Sequence, residues 1–167
     1  MSETSSRQYT ILVVDDDPDL LQALTDGLEL LGHFSVVSAS DGLQGLEMFF
    51  ATRPDCVIID VKMPGLDGYQ LVRALRGDAE SASTPLILLT ALAQEQHQFA
   101  GLALGADAYL IKLVDIREVV ATAQRVVLIS EEERQQRMQA LLEQSEVVED
   151  DWLDPSLPQE TVREQEH

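Results

Sequence analysis

The chain predicts an α/β fold: a doubly wound, five-stranded parallel sheet with helices on both faces, followed by a C-terminal helical extension and an acidic tail. Three observations predict it. Five short apolar runs alternate with five stretches of helical periodicity, the pattern of repeated strand–helix units. The apolar runs are continuous, as in strands buried on both faces. No repeat of roughly 20–50 residues points to a solenoid or propeller instead.

The elements follow in order. "TILVV" (10–14) reads as the first strand. "DPDLLQALTDGLELLG" reads as a helix with Asp17 as N-cap, Pro18 at its first position and Gly32 as C-terminal cap. "FSVVSA" is the second strand, and "DGLQGLEMFFATR" a helix ending before Pro54. "CVIID" is the third strand. A third helix runs from Gly68 to about Gly77, with Leu71, Val72 and Leu75 on one face. "PLILLT" is the fourth strand, "QEQHQFAGLALG" a helix ended by Gly105, and "AYLIK" the fifth strand. A fifth helix starts near Asp115, with Val119, Val120, Ala123, Val126 and Val127 on its apolar side.

Composition narrows the function classes. The formal net charge is -19, which argues against direct nucleic-acid binding. Residues 131–167 hold 12 acids against 3 bases, so the excess is concentrated at the end of the chain. The one cysteine, Cys56, lies in an apolar run and reads as a core residue in a reducing compartment. The first ten residues are polar, and no apolar run approaches the roughly 20 residues a membrane helix needs. A cytoplasmic protein with no membrane partner is expected.

In open parallel sheets, ligands bind outside the carboxyl ends of the strands. That edge receives Asp15 and Asp16 from the first strand, Asp60 from the third, Thr90 from the fourth and Lys112 from the fifth. Singly, each has a plain reading: "DDD" as a helix start, Thr90 as a strand end, Lys112 as a solvated lysine. Together they make one crevice of three carboxylates, a hydroxyl and an ammonium. Close carboxylates repel, and a hard divalent cation such as Mg²⁺ relieves that repulsion through oxygen ligands. Beside a cation, Asp60 is placed to attack phosphorus as a nucleophile. Lys112 and the Thr90 hydroxyl are placed to neutralise the oxygens of the transferred group.

The motifs "ILVVDDDP", "IIDVKMPGLDG", "LILLTA" and "GADAYLIK" resemble the receiver domain of two-component response regulators, a flavodoxin-like (βα)5 fold. The resemblance covers Thr10 to Val127. It implies Asp60 as phospho-acceptor, and Mg²⁺ held by Asp15, Asp16, Asp60 and the backbone carbonyl of Lys62. It implies Thr90 and Lys112 as the phosphoryl-binding pair, and Tyr109 as the aromatic that switches with Thr90. The implied donor is a phosphohistidine on a sensor histidine kinase or a histidine phosphotransfer protein. The receiver then catalyses phosphorylation and dephosphorylation of its own aspartate without being a conventional enzyme. Output passes to a downstream protein through the face of helix four, strand five and helix five, a face through which receivers often pair as homodimers. The side chains of Lys62 and Leu92 flank the phosphoryl group, and the small Ala91 leaves the site open. One departure stands out: Leu113 follows Lys112 where the family usually has proline. It motivates an alternative, a non-phosphorylated adaptor that keeps the fold and only binds partners. A metal-dependent phosphatase would want an acid two residues after Asp60, where Lys62 stands.

The expected organisation is a disordered N-terminus (1–9), a receiver (10–129), a helical extension (130–147) and an acidic flexible tail (148–167). In the extension, Ser130 and Glu133 fit a capping box, and Met138, Leu141 and Leu142 share a side. The segment reads equally as a separate helix or as a continuation of helix five. Residues 131–167 are too few and too acidic for a DNA-binding domain. In the tail, "DWLDPSL" offers Trp152, Leu153 and Leu157 as contact residues.

Overall fold

The computed structural model describes residues 7–92, 94–129 and 131–152, with the side chains at 95, 131 and 144–152 outside the description. The expected Ser130 cap and the tail from residue 153 onward lie outside the described residues.

The order of elements is β1 (Thr10–Val14), α1 (Pro18–Gly32), β2 (Ser35–Ala39), α2 (Gly42–Thr52), β3 (Cys56–Ile59), α3 (Gly68–Gly77), β4 (Leu86–Thr90), α4 (Glu95–Ala103), β5 (Ala108–Ile111), α5 (Ile116–Val126) and α6 (Glu131–Trp152). The five strands form one parallel sheet in the order β2-β1-β3-β4-β5.

Handedness distributes the helices. The chain moves one way from β1 to β2 and the other way through β3, β4 and β5. Right-handed crossovers then put α1 on one face and α2, α3 and α4 on the other. Side-chain alternation along the strands feeds both faces. Ile11, Val13, Ile58 and Ile87 join Leu24 and Leu28 of α1 and Val119, Ala123 and Val126 of α5. Leu12, Val14, Ile59 and Leu88 join Phe49 of α2 and Leu71, Val72 and Leu75 of α3. The expected apolar faces of α3 and α5 are therefore the buried ones, with Val127 only partly covered.

Caps set the helix starts. The Asp17, Asp41, Asp67 and Asp115 carboxylates each accept backbone N–H groups of their helix, and Asp67 forms a full capping box with Gln70. One cap differs from expectation. Gly32 is the last residue of α1, and His33 takes the left-handed conformation at φ 56°. The glycine is needed for space instead: a Cβ on Gly32 would lie 2.6 Å from the Phe34 ring and 3.1 Å from Val120. The second, third, fourth and fifth strands are each shorter than their apolar runs by one residue. Phe34, Asp60, Pro85 and Lys112 fall just outside them.

Helix α5 ends at Val126, with Val127 as its C-cap, and α6 is a separate helix. It packs against α4.

Candidate functional site

The direction of chain travel reverses between β1 and β3, and this opens a crevice at the carboxyl ends of those strands. The ladders carry one residue past each strand. The Asp60 N–H donates to the Val14 carbonyl (2.9 Å), the Asp15 N–H to Ala39 (3.1 Å) and the Lys112 N–H to Thr90 (2.8 Å). Backbone pairing thus brings the expected residues to one edge before any side chain acts.

The Asp15, Asp16 and Asp60 carboxylates converge, with one oxygen of each within 4.8 Å of the others. Asp15 and Asp60 are buried and Asp16 is exposed. Lys112 reaches over from β5, its Nζ 3.1 Å from Asp15 Oδ2 and 3.1 Å from Asp60 Oδ2. The Lys112–Leu113 peptide is trans, and Leu113 points into solvent at 95% exposure. The leucine in place of the family's usual proline therefore does not withdraw the lysine.

Burial dominates the electrostatics of Asp15. It outweighs the hydrogen bonds from the Asp17 N–H and Lys112, so the carboxyl titrates above its usual range. Burial also works against the Lys112 ammonium, but its hydrogen bonds to Asp15 and Asp60 more than offset this, and its pKa is raised. The two directions agree physically: the pocket holds an excess of negative charge that one ammonium only partly neutralises. Three hard oxygen donors open on one side to solvent suit a small divalent cation that keeps water ligands.

The loop after β3 folds tightly back over Asp60. The Gly68 N–H donates to the Val61 carbonyl (2.8 Å). A Cβ at Gly68 would collide with the Asp60 carbonyl oxygen and lie 2.7 Å from Val61 Cα, so only glycine fits there. Lys62 is exposed on this loop. With Met63, Tyr69 and Leu92 it lines an open cleft of about 520 Å³.

Thr90 is buried, and its Oγ accepts from the Leu92 N–H at 3.4 Å. The Tyr109 hydroxyl donates to the Leu92 carbonyl at 2.7 Å. Thr90 and Tyr109 thus hold opposite ends of the same residue in the β4–α4 loop. Gly101 lets α4 lie on the Tyr109 ring, since a Cβ there would come within 3.1 Å of Tyr109 Cδ2. Two features of this region were not anticipated from the sequence. The Tyr69 hydroxyl, from α3, donates to the His97 carbonyl of α4 (3.1 Å) and also lies against the Tyr109 hydroxyl. Asp107, at the foot of β5, takes ion pairs from Arg76 (3.0 Å) and Arg134 (2.6 Å). Both depend on contacts between distant elements, which spacing within one element does not signal.

The fold and this acidic crevice are those of the receiver class of domain, and the chain belongs to that family. Residues 11–124 match the response regulator receiver domain. Among relatives, it is 42% identical over 119 residues to the transcriptional regulatory protein PrrA of Mycobacterium leprae, covering 71% of this chain and 50% of PrrA. It is 39% identical over 117 residues to protein PilH of Pseudomonas aeruginosa, covering 70% of this chain and 96% of PilH. The chemotaxis protein CheY4 of Vibrio cholerae is similar in structure, with a TM-score of 0.67 at 31% identity over 72% of this chain and 99% of CheY4. The chain thus spans about half the length of relatives such as PrrA and aligns with nearly all of PilH.

Proposed function

We propose that the protein is a receiver that accepts a phosphoryl group on Asp60 from a phosphohistidine of a sensor histidine kinase or phosphotransfer protein. The observation that carries this reading is the convergence of Asp15, Asp16 and Asp60 with Lys112 between them. Asp15, Asp16, Asp60 and the Lys62 backbone carbonyl would hold Mg²⁺. Bound there, the cation screens the negative charge of the incoming phosphoryl oxygens.

An Asp60 Oδ attacks phosphorus. The donor's nitrogen–phosphorus bond breaks, and its electron pair stays on the imidazole. Lys112 swings from the carboxylates to a phosphoryl oxygen, and the Thr90 hydroxyl donates to another. The covalent group adds close to two negative charges. It biases the equilibrium only through contacts that differ between two states. Thr90 and Tyr109 supply them, since both bind Leu92 at the root of α4. Output is read by a protein partner, or by a second copy of the receiver, at the α4–β5–α5 face. The cytoplasm is the proposed setting; no described helix is long and apolar enough to cross a membrane.

The test is direct. Acetyl phosphate with Mg²⁺ adds the mass of one phosphoryl group to the intact chain, and Asp60→Asn abolishes the gain. A chain that takes no phosphoryl group under these conditions is instead the adaptor that binds partners only.

A further inference from the structure

Helix α6 begins beyond the matched receiver segment, yet it is tied into the receiver by a buried cation. Arg134 is only 8% exposed. Its Nε donates to Asp107 Oδ1 and its Nη1 to the Ser83 carbonyl, both at 2.6 Å. Farther along, Met138 and Leu141 close a small crevice against Leu102 and Ala106, at the end of α4. The clamp therefore spans α4, the start of β5 and the loop before β4.

Two properties make this clamp releasable. First, the Arg134 Nη2 is buried with no hydrogen-bond partner among the described residues, so these leave the docked pose incompletely satisfied. Second, Asp107 does not depend on Arg134. Its Oδ2 also accepts from Arg76 Nη2 (3.0 Å) and the Leu86 N–H (2.8 Å). Undocking α6 leaves no orphaned carboxylate inside the receiver and lets the Arg134 guanidinium return to water.

The helix it clamps is loosely built. The α4 N-cap, Gln94, makes no side-chain capping bond, and none of the described α4 side chains is fully buried. Tyr69 holds its first turn, Gly101 rests on Tyr109 and Leu88, and its last turn meets α6. The docked arrangement coexists with Lys112 on Asp60 and with the Thr90 Oγ on the Leu92 N–H. Recruiting Thr90 to a phosphoryl oxygen takes its hydroxyl from Leu92, at the root of α4.

From this geometry we propose that α6 is an autoinhibitory clamp, docked on α4 and β5 through Arg134 and released when Asp60 carries a phosphoryl group. The inference rests on the reading of Asp60 as phospho-acceptor.

The experiment uses the full chain, Mg²⁺ and beryllofluoride as the phosphoryl mimic. Binding is followed by the ¹⁹F signal of the bound mimic, and α6 docking by hydrogen exchange at residues 131–143. In the wild type, beryllofluoride raises exchange in α6. Because coupling is reciprocal, Arg134→Met tightens beryllofluoride binding by at least about fivefold. Met138→Asp, which disrupts the apolar part of the clamp and leaves Arg134 in place, shifts affinity in the same direction. Unchanged α6 exchange on beryllofluoride binding, or affinities of both variants equal to or weaker than wild type, overturns the clamp while leaving the phospho-acceptor reading intact. A wild type that binds no beryllofluoride overturns both.

Discussion

At the scale of single residues, Lys112 is the cation that pairs with both buried carboxylates of the crevice. It partly neutralises Asp15 and Asp60 from a partly solvated position, with its side chain 24% exposed. Lys112→Met should therefore separate two roles. Losing the ammonium removes one stabiliser of the transferring group, so phosphorylation by acetyl phosphate slows about 100- to 1,000-fold. Mg²⁺ binding moves the other way. At an effective dielectric near 20, a unit charge within about 10 Å contributes more than about 1 kcal/mol, so affinity rises about tenfold. Equal losses in both, measured by rate and by metal titration, would place Lys112 in the fold and not in the chemistry. The pH dependence has a definite sign. The Lys112 pKa is raised above its ordinary 10.5 by the two carboxylates, so its contribution to stability is complete below that value and lost as pH climbs through the raised one. Urea midpoints of the wild type should fall more steeply in that alkaline range than those of Lys112→Met.

At the scale of elements, α4 is the piece most exposed to small changes. Gly101 allows it to rest on Tyr109 and Leu88, and Tyr69 ties its first turn to α3. Gly101→Ala forces a Cβ to within 2.6 Å of Leu88 Cδ1, with an expected cost of about 1–3 kcal/mol from overpacking. Tyr69→Phe removes one hydrogen bond at a cost of about 0.5–1.5 kcal/mol. The Tyr69 variant should also raise hydrogen exchange at residues 94–99 while leaving α1 and α5 unchanged. Uniformly increased exchange would mean that Tyr69 supports the whole fold and not the position of α4. These tyrosine and arginine ties were the least legible part of the chain. Asp60 and Lys112 were readable because strand ends in a parallel sheet share one edge whatever the loops do. Arg134 and Asp107 lie 27 residues apart on different elements, so no periodicity joins them. The α1 terminus shows the same limit at short range. Gly32 reads as a left-handed cap, but the ring of Phe34 claims its space and His33 supplies the turn.

At the scale of the whole molecule, the acidic crevice sets stability against function. Buried Asp15 is held above its usual pKa chiefly by desolvation, with a further push from Asp60, so its ionised form costs the metal-free fold stability. Asp15→Asn removes that charge, and its melting temperature without metal should exceed the wild type's. The order should reverse as Mg²⁺ is added. A ligand that binds only the folded state stabilises it by about 2.7 kcal/mol at a concentration 100 times its dissociation constant. The wild-type midpoint then climbs by several degrees, as is usual for a domain of this size. The variant, lacking a carboxylate from the cluster of Asp15, Asp16 and Asp60, climbs much less, and the two melting curves cross at an intermediate concentration. Parallel rises in wild type and variant would locate the metal elsewhere, in a chain whose 30 acidic residues offer many surface sites. Crossing curves mean that the charge which destabilises the empty crevice is the same charge that binds the cation.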